Sequence, residues 1–331
     1  MRLLFAGTPA IAVAALNALA EMELAGKGIA LAGILTNPDK RRGRAHEAEP
    51  TDVSAAASAL NARRQEKGLT PLPQLKPEKL DALARDEVAA LTPDILVSFA
   101  YGRIFGPRFL ALFPMGGINI HPSLLPKYRG ASPIPAVILA REKETGICIQ
   151  KLAPEMDSGD ILIEERFPLN GRETTSSLSA DVSQRAAALL VDLLTDFEKK
   201  AQKGHAQTGE VSYCREIKKE AGLINWQKSA MEIDAQIRAY TPWPLSYTFR
   251  GEDTLFILEA QVIEQHDETA TSQSITKPGT VIVAGSKGIH IQTGNGILAV
   301  SRLQWQAKKA LDWKAFCNGA RDFAGSTLIS S

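Results

Sequence analysis

Arg2-Leu3-Leu4-Phe5-Ala6-Gly7-Thr8-Pro9 is a short apolar run that stops on a Gly-Thr-Pro turn, and the order of the segments after it sets the architecture. An Ala/Leu-rich stretch to about Met22 has helical spacing, and Ile29–Thr36 is a second apolar run closed by Asn37-Pro38-Asp39. Strand, turn, helix and strand in that order open a parallel α/β sheet. The alternation continues with helical patterns near 52–67 and 76–90 and buried strands at Ile95–Ala100 and Gly117–His121. Ile147–Leu152 and Ile161–Phe167 read as later strands, and Glu173–Lys200 carries a long amphipathic helical pattern.

Around Lys199–Ser212 the composition shifts to Lys, Gln, Gly, His and Thr, which reads as a linker. Beyond it a helical segment near 228–240 precedes short apolar runs at 245–249, 254–263, 279–285, 288–293 and 296–305. Short strands at that spacing suggest a small barrel or sandwich. The expected architecture is an α/β, Rossmann-like, mostly parallel sheet over 1–195, a linker over 196–212, and a small OB-like β-barrel over 213–331.

Composition narrows the functional classes. The 331 residues are 44% hydrophobic and 23% charged, which is globular and argues against long disorder. The formal net charge of +1 does not advertise a nucleic-acid binder, although a local basic patch does that work equally well. Cys148, Cys214 and Cys317 lie far apart, so they form no metal knuckle and no C-x-x-C pair. Gly7-Thr8-Pro9 interrupts the opening too early for a signal peptide, and no run approaches the ~18 apolar residues of a membrane span. A cytoplasmic chain is expected. The first strand ends without G-x-G-x-x-G, and no Walker sequence occurs, so a dinucleotide enzyme is poorly supported.

The chemistry concentrates in Gly116-Gly117-Ile118-Asn119-Ile120-His121-Pro122-Ser123-Leu124-Leu125-Pro126-Lys127-Tyr128-Arg129-Gly130. Residues two apart on a strand share a face, so Asn119 and His121 point together. Pro122 should end the strand at His121 and leave the imidazole at the rim, where open α/β sheets bind ligands. The same spacing also suits a hydrogen-bonded polar pair that merely caps a strand. Asp157, in Pro154-Glu155-Met156-Asp157-Ser158-Gly159-Asp160, lies in a turn between two apolar runs. Beside His121 it would orient the ring; alone it is an ordinary turn former. Spacing does not choose between these readings.

Asn-x-His, then Ser-Leu-Leu-Pro-x-Tyr-Arg-Gly-Ala-x-Pro-Ile, then Asp-Ser-Gly-Asp resembles the formyltetrahydrofolate-dependent formyltransferase family. The resemblance implies that Asn119, His121 and Asp157 are the catalytic trio and that Ser123, Leu124, Leu125 and Pro126 are a folate-binding stretch. It further implies that 10-formyltetrahydrofolate is the formyl donor and that no metal is used. An apolar slot for the folate is expected at Phe99, Ala100, Tyr101 and Ile104, from their place at adjacent strand ends, with plain core as the alternative for Phe99.

Phe5-Ala6-Gly7-Thr8-Pro9, Thr36-Asn37-Pro38-Asp39-Lys40-Arg41-Arg42-Gly43-Arg44 and Ile237-Arg238-Ala239-Tyr240-Thr241-Pro242-Trp243-Pro244 are similar to elements of family members whose acceptor is methionyl-initiator tRNA. This implies that Arg41, Arg42 and Arg44 touch the tRNA and that the second domain binds it. Lys199-Lys200-Lys203, Lys218-Lys219 and Lys308-Lys309 are secondary basic clusters, and such pairs more often form a solvated face. The sequence departs from the family pattern at Ala10-Ile11, at Pro135-Ala136 and after Arg44. A small amine as acceptor, or water as in a formyltetrahydrofolate hydrolase, is the alternative reading. A monomer is expected.

Overall fold

The computed structural model describes residues 1–40, 48–263 and 277–330, and its strands begin as the opening sequence predicts. Arg2–Gly7 is β1, Val13–Leu24 is α1 and Ala30–Leu35 is β2. Thr51 caps α2 (Asp52–Glu66) by accepting from the Ser54 amide, which satisfies a donor that the first helical turn leaves open. Strand β3 (Gln74–Leu75) comes next, then α3 (Ala82–Ala90), capped in the same way by Asp81 onto Ala84. After them come β4 (Ile95–Phe99), the short α4 (Pro107–Leu110), β5 (Gly117–His121), β6 (Arg129–Gly130) and α5 (Pro133–Leu139). Strands β7 (Glu144–Lys151) and β8 (Ile161–Pro168) lead into α6 (Thr175–Thr195), α7 (Phe197–Gln202) and β9 (Tyr213–Cys214).

Among the described residues seven of these strands make one sheet, in the order β3-β2-β1-β4-β5-β7-β8. The pairs from β3 to β5 are parallel, whereas β5–β7 and β7–β8 are antiparallel. The central strands are apolar on both faces, with Leu3, Leu4, Phe5, Ala6, Ile95, Leu96 and Val97 wholly buried, as a sheet covered by helices requires. From β1 the chain first builds outward through β2 to β3, then returns to add β4 on the other side. Strand order therefore reverses at β1 and β4, and ligands of open α/β sheets bind beyond the carboxyl ends of strands at such a point. Gly7 stands opposite Phe99 and Phe99 opposite Ile120, so the ends of β1, β4 and β5 line up there.

The chain divides into two compact units. Met1–Pro133, Glu144–Pro168 and Ser179–Arg215 form the first, and Ile134–Lys143, Leu169–Leu178 and Glu216–Ser331 the second. Residues 196–212, which read as a linker, lie in the first unit, with α7 and then an extended stretch that closes on β6 through β9.

In the second unit, α8 (Ala230–Ala239) starts on a reciprocal capping box between Ser229 and Glu232. Strands β10 (Ser246–Arg250), β11 (Asp253–Ile263), β12 (Val281–Gly285), β13 (Gly288–Gln292), β14 (Ile297–Trp305) and β15 (Leu311–Asp312) precede α9 (Trp313–Gly319). The sheet is antiparallel, in the order β10-β11-β14-β13-β12, with β15 on β14. Register shifts around Glu259 bend the long β11–β14 pair, as bulges do, and the sheet curls into a half-barrel. Its inner face alternates with period two, through Leu255 and Ile257, Ile289 and Ile291, and Leu298 and Val300. These pack with Trp226, whose buried indole N–H donates to Thr248 Oγ1 at 3.0 Å. The α/β first unit and β second unit are the architecture read from the sequence.

Candidate active site

Strand β5 ends at His121, before Pro122, and holds Asn119 and His121 on one face. The imidazole is 3% exposed. Its Nε2 lies 2.8 Å from the Tyr128 carbonyl oxygen, which only accepts, so Nε2 carries a hydrogen. The other nitrogen, Nδ1, is 3.5 Å from Asp157 Oδ2. Asn119 Nδ2 donates to Asp157 Oδ1 at 3.4 Å. The three residues of the expected trio thus meet on one carboxylate.

Further donors hold that carboxylate. Gly130 N donates to Oδ2 at 2.8 Å, and Gln150 Nε2 donates to Oδ1 at 3.0 Å. Gln150 stands directly across β5–β7 from Asn119 and therefore shares its face. Gly130 has φ +115°, and a Cβ there would lie 2.3 Å from the Cys214 carbonyl oxygen, so only glycine brings this amide up to Asp157. Asp157 (φ 51°) and Tyr128 (φ 59°) also adopt left-handed backbone, and such residues persist where the surroundings over-determine them.

A cavity of about 740 Å³ opens on this group. Its lining includes Phe99, Ala100, Tyr101 and Ile104, expected as the folate slot, together with Asn119, His121 and Asp157. Phe99 is fully buried, so it is also core, whereas Ile104 is 76% exposed. Burial pushes the Tyr101 phenol up despite the opposing charge of Arg103, which keeps it a neutral hydroxyl. Ser123, Leu124, Leu125 and Pro126 follow the lining residue Pro122 and are not themselves in the lining. They form the turn behind His121 instead. Ser123 Oγ donates to the Lys127 carbonyl at 2.7 Å, and Leu125 packs on Cys148 and Ile161.

Two thiols flank the site. Burial drives Cys148 from its ordinary 9.0 to about 12, and burial likewise raises Cys214, with the Asp157 charge adding to it. Both remain thiols, so neither acts as a nucleophile at neutral pH. Among the described residues no cluster of His, Cys, Asp and Glu could hold a metal ion, and no helix is long and apolar enough to cross a membrane.

Arg41, Arg42 and Arg44 lie outside the described residues. Of the secondary basic clusters, Lys199 and Lys200 on α7 pair with Asp196 and Asp192, which is the solvated-face reading. Sequence reading passed over Gln150, Gln207 and the roles of Arg129 and Gly130. A glutamine directly after the apolar Ile147–Ile149 run, on the same strand, was a usable signal for Gln150. Gln207, in polar sequence, offered none.

Residues 1–194 match the family described as formyl transferase, and residues 216–321 match its C-terminal domain. The methionyl-tRNA formyltransferase of Treponema denticola is 49% identical over 98% of each chain. Among solved structures, HypX from Aquifex aeolicus in complex with tetrahydrofolic acid superimposes with a TM-score of 0.61 at 14% identity. That likeness covers 98% of this chain and 47% of the longer HypX. The methionyl-tRNA formyltransferase from Clostridium thermocellum gives a TM-score of 0.52 at 17% identity, over 80% of this chain and 94% of that one. At such identities the structures speak for the fold alone. With both of its halves matched and a relative identical at nearly every second position, the chain belongs to the formyl transferase family, together with the methionyl-tRNA formyltransferases.

Proposed function

We propose that the chain transfers the formyl group of 10-formyltetrahydrofolate to the α-amino group of methionyl-initiator tRNA, the reaction that prepares the initiator for translation. The observation that carries this reading is the convergence of Asn119, His121 and Asp157 on the wall of the 740 Å³ cavity. The full-length likeness to a methionyl-tRNA formyltransferase supports this acceptor over a small amine or water.

In the reaction, the neutral amine attacks the formyl carbon and a new C–N bond forms while the carbonyl pair moves to oxygen. As that pair returns, the bond from carbon to folate N10 breaks; the acceptor nitrogen has given up one proton and N10 takes one. Asn119 supplies an N–H to the developing oxyanion, a contact whose loss costs ~10²–10³ in turnover. Because Nε2 of His121 is engaged by Tyr128, Nδ1 is the nitrogen that exchanges the proton, beside the Asp157 carboxylate that aligns it. Phe99, Tyr101 and Ile104 offer the folate an apolar wall, and Ser123, Leu124, Leu125 and Pro126 support it from the turn behind His121.

Arg41, Arg42 and Arg44 contact the tRNA, and the half-barrel unit adds binding surface for it. Phosphate contacts of this kind weaken as salt rises. The protein works as a cytoplasmic monomer without a metal.

The test is transfer of a labelled formyl group from 10-formyltetrahydrofolate to Met-charged initiator tRNA, with wild type and His121→Ala side by side. Label on the tRNA that vanishes in the variant supports both substrate and trio. Cofactor consumption without labelled tRNA would move the acceptor to a small amine or water, and no consumption by folded protein would end the enzyme reading.

A further inference from the structure

We propose that Gln207 is a positioning residue that fixes Asp157 from behind and thereby sets the geometry in which His121 and Asn119 act; this rests on the formyl-transfer reading above. Gln207 falls between the two matched stretches, 1–194 and 216–321, so neither assigns it a part. Across residues 205–211 it is the one residue that is partly buried, and the others are exposed.

Every polar atom of its carboxamide is engaged. Oε1 accepts from Arg129 Nε at 3.0 Å and Nη2 at 2.6 Å. Nε2 faces the carbonyl oxygens of Asp157 at 2.8 Å and Gly159 at 2.9 Å, and Gln150 Oε1 at 3.1 Å. A guanidinium only donates and a carbonyl only accepts, so these partners fix which way the amide points. Gln150, 1% exposed, passes the contact on by donating to Asp157 Oδ1. Gln207 therefore reaches Asp157 twice, at its main chain and, through Gln150, at its carboxylate. Donation runs in one sense from Arg129 through both glutamines, so each bond polarises the next.

Asp157 needs that support. Its backbone is left-handed, and Pro154, Glu155 and Met156 before it are exposed, so apolar packing does not hold the turn. Left-handed backbone at a non-glycine residue survives where other contacts over-determine it. On the main-chain side of the turn, Gln207 supplies such contacts.

The experiment compares full-length wild type with Gln207→Glu, Gln207→Ala and, as control, Thr208→Ala on the same exposed stretch. Gln207→Glu keeps the shape and the Arg129 contact but turns an acceptor oxygen against the Asp157 and Gly159 carbonyls. Expected is a fall in kcat of ~10–100-fold for both Gln207 variants, with KM for 10-formyltetrahydrofolate and tRNA little changed. The His121 imidazole nitrogen resonances of ¹⁵N-labelled protein should move in both, and Thr208→Ala should match wild type throughout. Unchanged kcat and unchanged His121 resonances in Gln207→Glu would overturn the proposal. So would an activity loss that merely follows a lowered unfolding temperature and a raised KM. The resonances do not depend on turnover: a wild type that formylates no tRNA sinks the proposed function, whereas unmoved resonances sink the positioning role.

Discussion

Asn119 and His121 ride on a strand, and Asp157 rides on a turn, although all three meet within 3.5 Å of one carboxylate. The strand-borne pair is placed by the sheet. Its spacing comes from the pleat, its depth from registers with β4 and β7, and its end from Pro122. The turn-borne residue has no such frame. Its position is set by donors far away in sequence: Gly130, 27 residues earlier, and Gln207, 50 residues later. One kind of residue is positioned by the fold in general, the other by a few hydrogen bonds in particular, and the two should fail differently.

The largest effect should come from the strand. His121→Ala is expected to lower kcat ~10²–10⁴-fold at temperatures where thermal melts show the variant still folded, read by steady-state transfer assays. Asp157→Ala should cost less, and the double variant little more than His121→Ala alone, because the two act as one unit. Strict additivity would break the comparison, since the turn would then contribute independently of the ring it aligns.

Next in size is Gly130→Ala. The added Cβ meets the Cys214 carbonyl, and the backbone prefers to leave φ +115°, so stability should fall by ~1–3 kcal/mol in chemical denaturation. Activity should fall too, as the amide withdraws from Asp157. If activity stays at the wild-type level, this donor is dispensable and the turn is stiffer than its hydrogen bonds suggest.

The smallest effect concerns the sheet behind the pair. Burial raises the folded-state Cys148 thiol from 9.0 to about 12, so above pH 9 the unfolded chain releases a proton that the native state keeps. The stability associated with this group is complete below pH 9 and is lost as pH rises toward 12. Melting temperature should therefore drop through that window, and less steeply for Cys148→Ala. An identical slope in the variant would mean that Cys148 ionises as readily folded as unfolded.

The same contrast explains what the sequence disclosed. The parallel sheet was legible because Arg2–Ala6, Ile29–Thr36 and Ile95–Ala100 are predominantly apolar runs with helical spacing between them. Asn119 and His121 were legible as a pair because a strand has period two. Whether Asp157 faced them was not, since no local pattern encodes a contact made through Gly130 and Gln150; only the likeness to a family supplied it. The Ser123–Pro126 stretch was conspicuous as a motif, but its place in the turn that follows His121 and Pro122 was not legible, since no local pattern encodes it. Residues 196–212 look like a spacer for a physical reason: a stretch with few apolar contacts gives no periodic pattern, even where His205, Ser212 and the Gln207 amide are bonded to the sheet and its turns.

That bonded stretch bears on where the protein can be cut. Tyr128 N donates to Ser212 Oγ and Arg129 N to the Ser212 carbonyl, while Tyr213 and Cys214 pair with Arg129 and Gly130. A shuffling experiment that joins a foreign second half at residue 195 would remove this strap together with the spacer it resembles. A junction after Arg215 keeps it, while Ile134–Lys143 and Leu169–Leu178, which belong to the second unit, would still meet a foreign partner.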